Sequence, residues 1–233
     1  MSLTDHLLRP LLAQPGRPLL THYDDAAGTR IELSVATVAN WAAKTANWLV
    51  DEFDVEPGDA VAVLLPAHWQ TAGVLLGAWW CGADVTGETA GARVAFVTPE
   101  ASGPAETTAV VALDPLGRGL AEPPRDGSFD YLAEVRLCGD TFSPAFPVPD
   151  DTPALEASTV EQILARCRAS AEKSGITAGD RVLSTMDWTM PEGIVDGFLA
   201  PLSVGAHLVQ VTDADPAKLA ARRDAERTTK DLS

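Results

Sequence analysis

Apolar positions along the chain change period several times, and each change marks an element. Leu3, Leu7, Leu8, Leu11 and Leu12 recur at helical steps, which predicts a short amphipathic helix over 3–14, ended by Pro15-Gly16. LLTHYD and TRIELS alternate instead, and the turn-forming run Asp24 to Gly28 between them predicts a hairpin. After Ser34, an N-cap residue, Val38, Trp41, Ala42, Thr45, Leu49 and Phe53 return to three- and four-residue steps and predict one buried stripe. Pro57-Gly58-Asp59 turns into AVAVLLP, a continuous apolar strand of the kind found in parallel sheets covered on both faces. A helix over 67–81 follows, with Gly82 as its C-terminal stop.

Between 84 and 157, ARVAFVT and TAVVALDP read as two strands and DYLAEVRLC as a strand or a short helix. The rest (GLAEPPRDGS, FSPAFPVPDDTP) reads as loops and a linker. The pattern then restarts. Ser158-Thr-Val-Glu161 reads as a capping box opening a helix with Val160, Ile163, Leu164, Cys167 and Ala171 on its buried face. RVLSTM reads as a strand, 191–203 as a helix carrying Ile194, Phe198, Leu199 and Leu202, and HLVQV as a strand after Gly205. Asp215-Pro216 opens a final charged helix. GDAVAVLLP…WWCGADV and GDRVLSTMD…LSVGAHLV thus repeat one order: Gly-Asp turn, strand, helix, Gly-Ala, strand. Two tandem βαβ units imply a parallel, right-handed α/β architecture. We expect a first half over 1–150, with the N-terminal helix and hairpin, and a second, repeat-like half over 151–233, in one compact unit.

Charge removes several function classes. The 17 Lys and Arg face 33 Asp and Glu, a net charge of −16 that opposes binding to nucleic acid and to anionic membrane surfaces. The residues from Ala60 to Ala83 carry no charge, but Pro66, His68 and Gln70 divide them. Gly73 and Gly77 therefore read as a buried helix packed closely on a sheet, not as a membrane dimer. Cys81, Cys138 and Cys167, like His6, His22, His68 and His207, are scattered without metal-site spacing. The N-terminus lacks signal-peptide features, so a cytoplasmic protein is expected.

The stretch SVATVANWAAKTANWLVDEFDVEPGDAVAVLLPAHWQTAGVLLGAWWCGADV, resumed at SGITAGDRVLSTMDWTMPEGIVDGFLAPLSVGAHLVQVTD, resembles the N-terminal domain of the acyl-adenylate-forming superfamily of acyl-CoA synthetases and luciferases. The resemblance implies two similar parallel-sheet α/β halves, with ATP, Mg²⁺ and CoA as the family's cofactors. The departures carry more weight. The family's Gly-rich phosphate loop belongs between the linker and the second repeat. Here Asp150-Asp-Thr-Pro-Ala-Leu-Glu-Ala157 runs straight into the helix opened at Ser158, and no Lys occurs between Lys44 and Lys173. The family's adenine and magnesium motif, hinge and catalytic lysine find no counterpart. Its aromatic-His pair falls near Asp187-Trp188, without the His.

The expectation is therefore a truncated, degenerate relative that assigns no catalytic residue and no metal, holds no cofactor, and acts in binding or interaction. The alternatives are a ligase half completed by a partner chain and a protein that binds a small apolar ligand. Asp187, Trp188, Thr189 and Met190, just beyond a strand's carboxyl end, are the candidate pocket. A small apolar carboxylic acid is the expected ligand, and a protein partner or a second copy the expected macromolecular partner. No GxSxG elbow occurs, and Ser203, His207 and Asp213 read as loop and strand-end positions. The acidic pairs Asp24-Asp25, Asp150-Asp151 and Asp213/Asp215 read as solvated turn residues, the tail ARRDAERTTKD as a solvated helix face, and every tryptophan but Trp188 as core.

Overall fold

The computed structural model describes residues 1–101, 107–124 and 127–233; the loop reading of 102–106 and 125–126 lies outside them. The first helix, α1 (Leu3–Leu8), stops at Arg9, and a separate 3₁₀ turn covers Leu11–Ala13. The expected helix over 3–14 is broken because Pro10 has no N–H to continue the ladder. The hairpin β1 (Pro18–Asp24) and β2 (Thr29–Ser34) forms as expected. So does α2 (Val35–Phe53), where Ser34 accepts the Thr37 N–H at 3.2 Å. β3 (Ala60–Leu64), α3 (Trp69–Trp80) and β4 (Asp84–Thr86) make a βαβ unit with β3 and β4 parallel. Gly82 takes φ 91° just past α3, a conformation that favours glycine.

β5 (Val94–Val97), β6 (Thr108–Val110) and β7 (Phe129–Asp130) extend the sheet outward, and DYLAEVRLC resolves into the short helix α4 (Tyr131–Val135). The stretch read as linker ends in a small hairpin, β8 (Pro153–Leu155) and β9 (Ser158–Thr159). The capping box opening α5 (Val160–Lys173) is therefore one residue later than the sequence pattern placed it. Thr159 pairs with Gln162, because Ser158 is held in β9. β10 (Arg181–Ser184) leads into a helix, α6, built of Glu192–Ile194, a π turn over Val195–Leu199 and Ala200–Ser203. β11 (His207–Thr212) runs parallel to β10, so both repeats are βαβ units. The chain finishes with α7 (Pro216–Glu226) and β12 (Lys230–Leu232).

Two mainly parallel sheets result. One has the order β7-β6-β5-β3-β4-β8-β9, the other β12-β10-β11-β1-β2. They do not divide at residue 150. The N-terminal hairpin joins the second sheet through β1 and β11, and β8–β9 joins the first through β4 and β8. α3 touches β3 and β4 of one sheet and β1 of the other, so it sits between the sheets, and the main core draws on both. The two glycines of α3 face α2 and not a sheet: a Cβ on Gly77 would stand 2.4 Å from the Thr45 Cβ, and one on Gly73 would stand 3.2 Å from the Trp41 Cβ. Trp48, Trp69 and Trp79 are buried and Trp41 and Trp80 half-buried, as read; Trp188 is buried as well. Among the described residues no helix is long and apolar enough to cross a membrane.

Most of the charged tail is exposed as read, but Asp25 of the acidic turn and Glu226 of the tail are buried. Asp25 has a side chain only 1% exposed and pairs with Arg222, whose guanidinium lies 3.9 Å from the Tyr23 ring centroid. Glu226, 5% exposed, accepts from Tyr23 Oη at 2.6 Å, Arg30 Nε at 2.8 Å and Arg181 Nη2 at 2.8 Å. Spacing along the tail could not show this, because the partners come from β1, β2 and β10. Asp150 does stay exposed, bonded to the terminal amine and to His6. Asp215 caps α7.

Candidate functional site

β4 and β8 are parallel neighbours, and at their carboxyl ends, the position where open α/β sheets hold ligands, they meet the segment that follows β10. β8 and β9 are joined by two residues, Glu156 (φ 48°) and Ala157 (φ 60°). Two positive-φ residues in succession suit the twist of a tight hairpin, but Asn-Gly usually supplies them, and each non-glycine there costs about 1 kcal/mol or more. Hydrogen bonds offset that strain. The Glu156 N–H donates to Val85 O at 2.9 Å, and the Ala157 N–H donates to both Asp84 carboxylate oxygens at 3.1 and 3.2 Å. The Glu156 carboxylate in turn accepts the Gly87 N–H at 2.8 Å. Burial raises the Asp84 carboxyl, and Glu156 nearby adds to the rise, against the pull of the Ala157 N–H. Two carboxylates thus occupy the backbone donors where β4 and β8 end.

The segment 187–190 borders this turn on the β10 side. Its side chains alternate: Asp187 and Thr189 are exposed, Trp188 is buried and Met190 half-buried. A Cβ on Gly87 would lie 3.8 Å from Met190 Sδ and 3.6 Å from Glu156 Oε1, so Met190 and the turn meet across Gly87. The Trp188 ring stacks on Phe198 of α6 at 4.4 Å and 29°. Gly193 is required where α6 begins, because a Cβ there would stand 2.3 Å from Asp187 O. Two buried polar atoms here have no hydrogen-bond partner among the described residues: the Trp188 Nε1 donor and the Gln210 Oε1 acceptor. Gln210 comes from β11, and its Nε2 donates to Met186 O at 3.0 Å.

The sequence pattern singled out the 187–190 segment but not Asp84, Gly87, Glu156 or Gln210, which the structure brings beside it. The one available signal was the two-residue gap between TPAL and STV, which has the length of a minimal hairpin. Ser203, His207 and Asp213 do not come together as a triad. Ser203 Oγ donates to Ala200 O, and His207 Nε2 pairs with Thr21 Oγ1 at 2.9 Å. No group of three or more potential metal ligands occurs among the described residues.

No protein-family model matches the chain. It is 46% identical over 242 residues to a Mycobacterium tuberculosis protein described as a TIGR03089 family protein, covering 99% of this chain and 98% of that one. In structure it is similar to Brucella canis acyl-CoA synthetase, with TM-score 0.81 and 17% identity over 99% of this chain and 47% of that one. It is also similar to the N-terminal domain of FACL13 from Mycobacterium tuberculosis, with TM-score 0.69 and 16% identity over 98% of this chain and 61% of that one. The chain therefore spans about half the length of the Brucella synthetase, and at these identities the likeness is one of fold.

Proposed function

Because the chain belongs to the TIGR03089 family and has the fold of the N-terminal half of an acyl-CoA synthetase, we propose that it works by binding and does not adenylate a carboxylate. The carrying observation is the Glu156-Ala157 turn. Adenylation brings a carboxylate anion onto the α-phosphate of ATP and expels pyrophosphate, so it needs backbone N–H donors and cations around the phosphates. Here the Gly87 and Ala157 N–H groups already donate to Glu156 and Asp84. A triphosphate entering this turn meets two carboxylates in place of donors, and each preorganised donor is worth roughly 3 kcal/mol in the transition state. The residues present do not fit ATP with Mg²⁺. The test is ATP–pyrophosphate exchange with a panel of aromatic and aliphatic carboxylic acids. We expect background rates, and turnover with any acid would overturn the reading.

The unpartnered Trp188 N–H favours a second reading, a small apolar carboxylic acid held at 187–190. A buried donor without a partner costs about 1–3 kcal/mol, which a ligand carboxylate recovers. Stabilisation by such acids that disappears in Trp188→Phe supports it; an unchanged melting temperature with every acid tested removes it.

A further inference from the structure

At the opposite, amino-terminal ends of the second sheet's strands lies a cavity of about 290 Å³, lined by Arg17, Pro18, the 178–180 turn, Arg181 and His207. Three features set it apart on a surface of net charge −16. First, Arg17 is fixed without being neutralised. Its Nη2 donates to Ala178 O (2.9 Å) and to Gly205 O, and among the described residues it makes no ion pair with a carboxylate. Second, Arg181 is oriented by the Glu226 side chain and carbonyl through Nη2 and Nε, which leaves Nη1 without a partner among the described residues. Third, His207 also lines the cavity; it is only 3% exposed, and its Nδ1 has no partner among the described residues.

The lone carboxylate in the lining, Asp180, is held ionised by its own donors, so its charge opposes an anion while both of its oxygens stay engaged. Asp180 Oδ2 is taken by the Thr177 N–H and hydroxyl at 2.7 and 2.8 Å, and Oδ1 by the Thr229 hydroxyl at 2.7 Å. Guanidinium groups held by other contacts are preorganised for an oxyanion, because ordering them costs the ligand nothing further.

We propose that this cavity is a binding site for a phosphate-type oxyanion, held between the guanidiniums of Arg17 and Arg181 beside the His207 ring. It lies at the far end of the strands from the Glu156 turn, so it goes beyond the reading above and stands or falls separately.

The experiment follows the imidazole NMR signals of the full chain as inorganic phosphate is added. The expected result is a saturable shift of the His207 signal at millimolar phosphate, weakened about tenfold or more by Arg17→Gln. Gly179→Val gives an independent check. A Cβ on Gly179 meets nothing within 4 Å, so the variant folds while narrowing the mouth, and it should weaken phosphate in the same way. Arg93→Gln, at an exposed pair with Asp59, should leave binding unchanged. Tighter binding of glycerol 3-phosphate than of phosphate assigns the site to an organic phosphate, and the reverse order to the free ion; either supports the proposal. A shift that does not saturate, or that survives both Arg17→Gln and Gly179→Val, overturns it. The exchange assay above is blind to this site, so failure of either proposal leaves the other standing.

Discussion

Three buried histidines set a steep acid dependence on this fold. His22 of β1 and His68, which caps α3, meet edge to face at 4.4 Å between the two sheets. Burial lowers His22 to about 4, against a weaker upward pull from Asp24. Burial, and then His22, lower His68 to about 2. His207 is lowered to about 4 by burial and then by Arg181. Geometry explains His68 best: its Nδ1 lone pair accepts the Gln70 N–H at 3.1 Å, and a proton there would set donor against donor. In the unfolded chain each imidazole titrates near pH 6.5. Below that pH the unfolded state binds protons that the folded state refuses, so stability falls as pH falls. The loss begins near 6.5 and levels off near 4 for His22 and His207 and near 2 for His68. Between pH 8 and pH 5.5 each histidine removes about 1.4 kcal/mol, about 4 kcal/mol together, a large part of a typical domain's 5–15. Carboxyls held down by hydrogen bonds, Asp114 by Arg118 and Asp180 by Thr229 first of all, change charge below this window. Asp84, raised by burial, acts in the opposite sense. Urea unfolding measured between pH 8 and 5 should show uptake of about three protons near pH 5.5, and His22→Gln should remove about one of them. A slope of one proton or fewer in the unaltered protein would refute the assignment of neutral buried imidazoles.

Two further outcomes test the packing. Gly77→Ala forces a methyl against Thr45 and should cost about 1–3 kcal/mol in urea, whereas Gly179→Ala, in open space, should cost well under that. Arg222→Ala leaves buried Asp25 with only the half-exposed Lys218 at 4.0 Å as its cation and should cost about 3 kcal/mol; a loss under about 1 kcal/mol would show that the pair is dispensable.

What the sequence made legible was local. Ser34, Asp215 and the Pro57-Gly58 and Thr177–Asp180 turns act within a few residues of themselves, and each stands where its pattern predicts. The stripes of α2 and α5 were legible because burial on a helix follows its period. Errors arose where a distant strand decided the outcome. Ser158 is pulled into β9 and hands the cap to Thr159. Asp25 and Glu226 look like solvent-facing turn and tail residues until β1, α7 and β10 are assembled. At the candidate site the missing phosphate loop was legible as an absence. The carboxylate contacts of Asp84 and Glu156 were not, because they join the ends of β4 and β8, some seventy positions apart.

The pairing of β1 with β11, Leu20 beside Leu208, has a consequence for how the polypeptide is made. LLTHYD finds its inner neighbour only once synthesis has reached the distant HLVQVT of β11. Until then a strand with five buried positions in succession presents one open edge. Assembly of that layer is thus slow, since such distant contacts must close a long loop before they return any stability. Shielding that edge during synthesis falls to α1 and α2 or to a chaperone.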